Sequence, residues 1–221
     1  MTAARGVWVG EDALRVAREL AASLDPIPAA ERCGAGFEAD AEGERFLVRF
    51  LGADITVGYP GFDFRPDTRL PPHVQALLVY YLATSDGSYP TGAWHSFASL
   101  PDGQFYWRAF QGYTGDALSR RVGERSTGLA EAIASIGGRP LSVEELSTNA
   151  DRAWVVPALP RVPIAILWWD ADDEFPSRAE MLFDATAPNH LPIDGCAVLG
   201  SWLTSRLAGA VEAARGAGDR Q

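Results

Sequence analysis

Residues 162–184, VPIAILWWDADDEFPSRAEMLFD, carry the change of pattern on which the fold prediction depends. The stretch opens with an apolar run that ends in two tryptophans, which is typical of a buried strand. Acidic residues crowd the next positions: Asp170, Asp172, Asp173 and Glu174. Ser177 and Glu180 then match the S-x-x-E capping box, so a short helix is predicted over residues 178–185. We therefore interpret the stretch as a strand that passes through an acidic corner into a capped helix.

The acidic corner also has the composition of a divalent-metal site. A calcium loop of the EF-hand type does not fit, because the sixth residue from Asp170 is Phe175 and the twelfth is Met181. Magnesium requires only one or two carboxylates together with oxygens of a bound ligand. The candidate metal ligands are Asp172, Asp173 and Glu174. The capping pattern favours the structural interpretation of the corner over the metal site.

Helix and strand patterns are mixed along the rest of the chain. Helices are predicted at residues 11–24, 72–87, 116–136 with a break near Gly123 or Gly128, and 193–214. Strands are predicted at residues 45–52, 54–60, 153–160 and 162–169. Pro157 and Pro160 indicate that the third of these strands is an edge strand or is bent.

The mixture predicts an α+β fold, in which an antiparallel or mixed sheet packs against helices. The length favours one compact domain over residues 1–221. We expect residues 1–10 and 215–221 to be frayed ends.

Residues 95–110, HSFASLPDGQFYWRAF, predict a β-hairpin. Asp102-Gly103 is a favoured turn pair, and Pro101 shapes the approach to it. The predicted strand alternates between two faces, with Phe105, Trp107 and Ala109 on one and Tyr106, Arg108 and Phe110 on the other. The face that the core does not use is predicted to cover a helix layer, a partner subunit or a flat apolar ligand.

The composition excludes several classes of function. The net charge of -10 argues against nucleic-acid binding, which needs concentrated positive surface. All 19 basic residues are arginines, so no lysine exists to form a Schiff base, anchor pyridoxal phosphate or bind phosphate in a Walker loop. No apolar run approaches the roughly 20 residues of a membrane span, and the N-terminal residues do not resemble a signal peptide. We expect a cytoplasmic protein without nucleic-acid or membrane partners.

The two cysteines predict reduced thiols. Cys33 lies in a predicted loop and Cys196 in an apolar helical run, and their spacing matches no zinc or iron–sulfur pattern. We interpret Cys33 as a free thiol and Cys196 as a small buried hydrophobic residue, as expected in a reducing compartment.

His95 is the candidate acid–base group or axial metal ligand among three histidines. His73 lies near a helix start and His190 in a loop, and no two histidines form an H-x-x-x-H pair. Trp94 and Ser96 flank His95 at the mouth of the predicted hairpin, where aromatic residues surround it in sequence.

Several segments of the chain resemble a known family. They are GAWHSFASLPDGQFYWRAF (92–110), AIASIGG (132–138), LPRVPIAILWWDADDEFPSRAEMLFD (159–184) and NHLP (189–192). In this order they are similar to the bacterial and archaeal family labelled domain of unknown function 3786. The most specific part is W-x-x-D-x-E-F-P, which begins at Trp169, followed by the L-F-D of residues 182–184. The resemblance implies a compact single domain and no particular activity.

The chain also departs from the family pattern. Where that pattern reads S-F-R-E-L-P, Ala98 and Ser99 stand in place of arginine and glutamate. The resemblance implies that any chemistry of the arginine–glutamate pair is lost here or proceeds differently. The resemblance also implies that some relatives carry an added iron–sulfur module and occur in anaerobes rich in corrinoid enzymes; we expect no such module in this chain.

The leading hypothesis is a small-molecule binding protein with an aromatic pocket between the hairpin and the acidic corner. The most specific predicted ligand is a planar tetrapyrrole, either a corrinoid or haem. Aromatic faces suit such a ligand, arginine can pair with its carboxylates, and His95 can reach its metal. The predicted ligand-binding residues are Trp94, His95, Tyr106, Trp107 and Arg108.

Two further hypotheses stay open. One is a metal-assisted hydrolase or transferase that uses Asp172, Asp173 and Glu174 with a divalent metal, and His95 as base. The other is a non-catalytic assembly or accessory factor whose exposed aromatic residues bind a protein partner. The three hypotheses require, respectively, an apolar or coloured ligand, a divalent ion and a protein partner.

Overall fold

The computed structural model describes residues 11–65, 69–124, 126 and 128–218. Residues 1–10 and 219–221, which were predicted to be frayed, lie outside the described residues, whereas residues 215–218 continue the last helix. The helices within the described residues are α1 (Glu11–Ala21), α2 (Pro26–Cys33), α3 (Pro72–Thr84), α4 (Trp107–Tyr113), α5 (Gly115–Val122), α6 (Leu129–Ser135) and α7 (Ile193–Gly218). The strands there are β1 (Gly36–Asp40), β2 (Gly43–Phe50), β3 (Ala53–Tyr59), β4 (Trp94–Ser96), β5 (Arg139–Leu141), β6 (Arg152–Leu159), β7 (Val162–Trp169) and β8 (Arg178–Asp184).

The strands form two antiparallel sheets. β1, β2 and β3 pair consecutively in a three-stranded sheet. The other strands form a sheet of order β4-β8-β7-β6-β5, so the two three-residue strands, β4 and β5, are its edges. The predicted α+β class with antiparallel pairing is confirmed.

One continuous cluster of buried side chains joins both sheets to the helices. α3 is apolar on nearly every side because it packs between α1 and α7. Trp168 of β7 and Phe183 of β8 extend the cluster over the inner face of the five-stranded sheet, and both are fully buried. Burial of a large apolar side chain stabilises the fold by about 1.5–3 kcal/mol, so this face holds the sheet on the helices.

Several predicted elements are confirmed. α3, α7 and the strands β2, β3, β6 and β7 lie where the sequence patterns place them. The helix predicted over residues 116–136 is broken, as expected, into α5 and α6 between Gly123 and Gly128. β6 is an interior strand rather than an edge, and its pairing with β7 is irregular around Pro157. None of the described helices combines the length and the apolar character needed to cross a membrane.

The helix predicted over residues 178–185 is wrong, because these residues form strand β8. Their burial alternates: Ala179, Met181 and Phe183 are buried, whereas Arg178 and Glu180 are not. This period of two is that of a strand with one face in the core. The capping-box prediction fails with the helix, and the hydroxyl of Ser177 instead donates a hydrogen bond to the Gly123 carbonyl oxygen at 2.8 Å.

The hairpin predicted over residues 95–110 is also wrong. β4 ends at Ser96 and pairs with β8, then two short 3-10 turns lead into α4. The phenyl rings of Phe97 and Phe110 stack with their centroids 4.0 Å apart, which folds the segment back on itself. Asp102 adopts a left-handed backbone conformation, so the Asp-Gly pair forms a compact turn without a following strand.

Helix α2 was not predicted, and Cys33 is its last residue rather than part of a loop. Pro26 occupies the first helical turn, where a missing amide donor costs nothing. Gly34 ends the helix in a left-handed conformation. Cys33 and Cys196 are both buried free thiols, and burial raises the pKa of Cys33 to about 11.

Candidate functional site

A cleft of about 1090 Å³ lies beside the connection between β7 and β8 and along α5. Its volume is in the range of sites that bind small organic molecules. The charged side chains that line it are mostly acidic: Asp116, Glu124, Asp151, Asp170, Asp172, Asp173 and Glu174, together with Arg120 and Arg178. Trp169 and Phe175 add aromatic surface. We call this space the acidic cleft.

Trp169 and Arg178 form a stacked pair in the wall of the acidic cleft. They are partners across the β7–β8 register, so their side chains lie on the same face of the sheet. The guanidinium carbon of Arg178 lies 3.7 Å from the centroid of the Trp169 ring. The indole Nε1 of Trp169 donates to the Asn149 side-chain oxygen at 3.1 Å, which fixes the ring plane.

Asp170 is the structural centre of the acidic corner. Its carboxylate accepts hydrogen bonds from Trp168 Nε1 at 2.8 Å and from the Ser126 amide at 3.2 Å. It also forms an ion pair with Arg152 at 3.0 Å. Burial alone would raise the pKa of Asp170, but these donors outweigh it and hold the pKa below its ordinary value. Asp170 is therefore a charged, paired residue that fixes the end of β7.

The three predicted metal ligands lie on an exposed loop. Asp172 Oδ1 accepts the backbone amides of Glu174 at 2.8 Å and Phe175 at 2.7 Å, which closes a tight turn. The side chains of Asp173 and Glu174 are exposed and make no hydrogen bond or ion pair with any other described residue. Within the described part of the chain, no three His, Cys, Asp or Glu side chains converge as metal ligands.

A smaller cleft of about 410 Å³ opens between α4 and β8. It shares Asp116 and Arg178 with the acidic cleft, so the two spaces adjoin. Gln111 crosses between them, donating to Asp116 Oδ1 at 2.8 Å and to the Ala179 carbonyl at 2.9 Å. Ala98, which stands where the family pattern has arginine, also lines this smaller cleft.

The structure does not gather the five predicted ligand-binding residues into one pocket. Trp94 and His95 lie on β4, where His95 is exposed, and Tyr106, Trp107 and Arg108 lie at the start of α4. Trp107 lines the smaller cleft, and the other four line neither that cleft nor the acidic cleft. Trp107 and Arg108 are both exposed, and the guanidinium carbon of Arg108 lies 5.7 Å from the Trp107 ring centroid.

Asp184 and His190, which belong to the L-F-D and NHLP segments, are buried outside both clefts. The Asp184 carboxylate accepts the amides of Gly92 at 2.6 Å, Thr91 at 3.0 Å and Thr186 at 3.0 Å. Burial lowers the pKa of His190, and its Nε2 lies 3.0 Å from the Ser88 carbonyl oxygen. These residues hold the loop before β4 against the loop after β8.

Sequence reasoning missed Arg178, Asn149 and Asp116 as residues of the cleft. Arg178 faces Trp169 only because residues 178–184 are a strand, and the helix prediction hid that register. Asp116 lies in α5 and Asn149 in the loop before β6, and both are more than 18 residues from Trp169 in the sequence. The alternation of residues 178–184 was the one signal that could have revealed the Trp169–Arg178 pair.

A family model described as a domain of unknown function, number 3786, matches residues 25–206. The match includes every strand of both sheets and all of the acidic cleft. No curated protein matches the chain, and no solved structure does.

Proposed function

The chain belongs to the domain of unknown function 3786 family, and from that premise we propose that it binds a small organic cation in the acidic cleft. The site combines a stacked indole, a second aromatic ring and an excess of carboxylates. Such a combination suits a ligand with a planar or apolar group next to a positive charge.

The observation that carries this proposal is the position of the W-x-x-D-x-E-F-P segment. Its five defined residues all line the acidic cleft: Trp169, Asp172, Glu174, Phe175 and Pro176. Asp172, Glu174, Phe175 and Pro176 of this segment are exposed and contribute little to the core, so their place in a cleft favours a binding role. Phe183 and Asp184 of the L-F-D segment, by contrast, are buried, and Asp184 has a structural role through its hydrogen bonds.

The charge of the cleft favours a cation over the tetrapyrrole of the original hypothesis. A corrinoid or haem with free propionates would bring negative charge to a surface on which acidic side chains outnumber arginines. One of the two lining arginines, Arg178, is already engaged with Trp169. His95 lies away from the cleft on β4, so it is not placed to ligate a metal within it.

A protein partner is the second candidate function, because aromatic side chains near α4 are strongly exposed. Phe105 is 81% exposed and Trp107 is 43% exposed. Exposed aromatic clusters of this kind are enriched in protein interfaces. The metal-assisted reaction has less support, since Asp173 and Glu174 extend from a turn that Asp172 closes through its own hydrogen bonds.

We retain a cytoplasmic location as part of the proposal. The two free, buried thiols are what a reducing compartment favours.

The test is calorimetric titration with benzamidine, a planar aromatic cation, and with benzamide, its uncharged isostere. We expect benzamidine to bind the native protein and benzamide to bind at least about tenfold more weakly, because only benzamidine carries the positive charge that the carboxylates attract.

The double variant Asp173→Asn/Glu174→Gln removes two charges whose side chains make no hydrogen bond or ion pair with the described residues, and it should weaken benzamidine binding. The control Glu31→Gln/Glu131→Gln removes two exposed carboxylates elsewhere and should not. Equal affinities for both compounds, or equal losses in both variants, would exclude the acidic cleft as a cation site.

A further inference from the structure

A third concave space, of about 300 Å³, lies among the start of α3, the end of α4 and the first half of α7. We call it the α7 pocket, because most of its residues come from the first turns of α7. Its lining residues are His73, Tyr113, Asp194, Ala197, Val198, Ser201 and Trp202. None of them lines the acidic cleft or the smaller cleft. The pocket is therefore separate from the site proposed above.

Helical spacing places a carboxylate and an indole at the two ends of this pocket. Asp194, Ala197 or Val198, and Ser201 or Trp202 follow one another at three- to four-residue intervals on α7, which puts them on one face. The small side chains in the middle leave room between Asp194 and Trp202. His73, at the start of α3, supports the indole from the side, with ring centroids 6.5 Å apart and planes at 81°.

Tyr113, the last residue of α4, supplies a further aromatic wall. Its ring meets Phe110 edge-on, with centroids 5.8 Å apart, so it is held at the rim. Burial and the charge of Asp194 both raise the pKa of the Tyr113 phenol. The Tyr113 phenol is therefore kept neutral and lies near the Asp194 carboxylate.

Asp194 is half-buried and makes no hydrogen bond or ion pair with any other described residue. Burial and the nearby charge of Asp102 raise its pKa. Its position in the first turn of α7 gives it a favourable interaction with the helix dipole. No arginine lines the α7 pocket, so among the described residues that line it no permanent cation faces this carboxylate.

We propose that the α7 pocket binds a small organic ammonium ion, with the charge beside Asp194 and the methyl or methylene groups against Trp202, Tyr113 and His73. Aromatic walls around a carboxylate are the arrangement by which proteins recognise quaternary ammonium groups. The volume is enough for a ligand of about the size of choline. A planar tetrapyrrole or a peptide helix would not fit within it.

Choline and its uncharged isostere, in which carbon replaces the quaternary nitrogen, are the probes. Ligand-observed NMR and calorimetric titration of the full chain would measure both. We expect choline to bind and the isostere to bind at least about tenfold more weakly, since the two differ in charge but not in shape. Asp194→Asn, which keeps the shape of the side chain, should weaken choline binding by about tenfold or more.

Two further variants separate this pocket from the acidic cleft. Trp202→Leu removes the indole at the far end of the α7 pocket and should weaken choline binding even though every carboxylate is kept. Asp173→Asn/Glu174→Gln alters the acidic cleft and no residue of the α7 pocket, so it should weaken choline binding less than Asp194→Asn does. Circular dichroism and the unfolding midpoint would confirm that each variant is folded. Choline affinity that survives Asp194→Asn, or that falls only in the acidic-cleft variant, would overturn the proposal.

Discussion

The guanidinium group of Arg178 lies on the face of the Trp169 indole, at 3.7 Å from the ring centroid, in the wall of the acidic cleft. The protein thus places one of its own cations where an incoming cation would stack. The β7–β8 register holds the two side chains together, so the contact is part of the sheet and not an accident of a flexible loop.

Removal of Arg178 should therefore improve the binding of a cationic ligand. In Arg178→Gln the indole face is free and one repulsive charge is gone, so benzamidine affinity should rise by about two- to fivefold, the worth of one exposed cation–π contact. Arg120→Gln, which removes a cation from the same cleft without touching Trp169, is the matched control. Calorimetric titration would measure both, and a larger gain in Arg120→Gln would argue against displacement of Arg178.

Asp184→Asn should destabilise the protein strongly. The buried Asp184 carboxylate accepts hydrogen bonds from three backbone amides and from the Thr186 hydroxyl. Asparagine would replace one of its oxygens with an amide nitrogen, which is itself a donor and cannot accept these hydrogen bonds. We expect a loss of about 2–4 kcal/mol in the free energy of unfolding, measured by urea titration. Asp173→Asn, at an exposed position, should stay within about 0.5 kcal/mol of the native protein.

The same residue should shape the stability of the protein in acid. Burial works to raise the pKa of Asp184, but the donors from Thr186, Thr91 and Gly92 outweigh it and hold the pKa below the ordinary value of 3.8. The unfolded chain therefore takes up the proton first, so the stabilisation is complete above the ordinary value and is lost as pH falls through the lower folded pKa. Urea midpoints measured across this range should fall more steeply for the native protein than for Asp184→Asn.

Gly103 and Gly112 should respond in opposite ways to alanine. A Cβ at Gly103 would overlap the carbonyl oxygen of Phe97, so the turn between β4 and α4 would have to move, at a cost of at least about 2 kcal/mol. Gly112 lies inside α4 with nothing within 4 Å of the added carbon. Gly112→Ala should therefore stabilise the helix by up to about 1 kcal/mol. Thermal unfolding of the two variants would decide the matter, and equal shifts would be inconsistent with this packing.

Haem and cobalamin should leave the absorption spectrum of the protein unchanged. His95 is exposed on β4 and lines neither of the two adjoining clefts. Trp94, Tyr106 and Arg108 line neither cleft as well. A Soret or corrinoid band that appears on addition and disappears in His95→Ala would restore the tetrapyrrole hypothesis and remove the support for a cation.

The elements predicted correctly are those in which the local hydrophobic pattern matches the burial of the element in the folded protein. α3 is a long apolar segment that ends before a glycine-containing loop, and β7 is a continuous apolar run buried on both faces. In both, the hydrophobic pattern follows directly from burial. β8 was missed because its capping-box residues gave a local helix signal, whereas pairing with β4 and β7 decides its conformation.

The candidate site was predictable in part. Its acidic residues and Trp169 stand in one continuous segment, so composition alone pointed there. The aromatic half of the predicted pocket was misplaced because residues 97–110 form turns and a helix, in which Tyr106 and Arg108 are exposed and line neither cleft. Contacts such as Gln111 with Asp116 and the Ala179 carbonyl depend on tertiary packing, which no local pattern of residues 105–113 encodes.

The shortness of β4 and β5 has a consequence for how this protein can associate. Each offers only three residues of backbone at an edge of the larger sheet, too few for an additional strand to pair along it in a stable way. Neither β4 nor β5 is thus a good template for edge-to-edge pairing with another chain. The aromatic groups exposed around α4 instead offer a surface through which copies of the protein can associate by side-chain contacts.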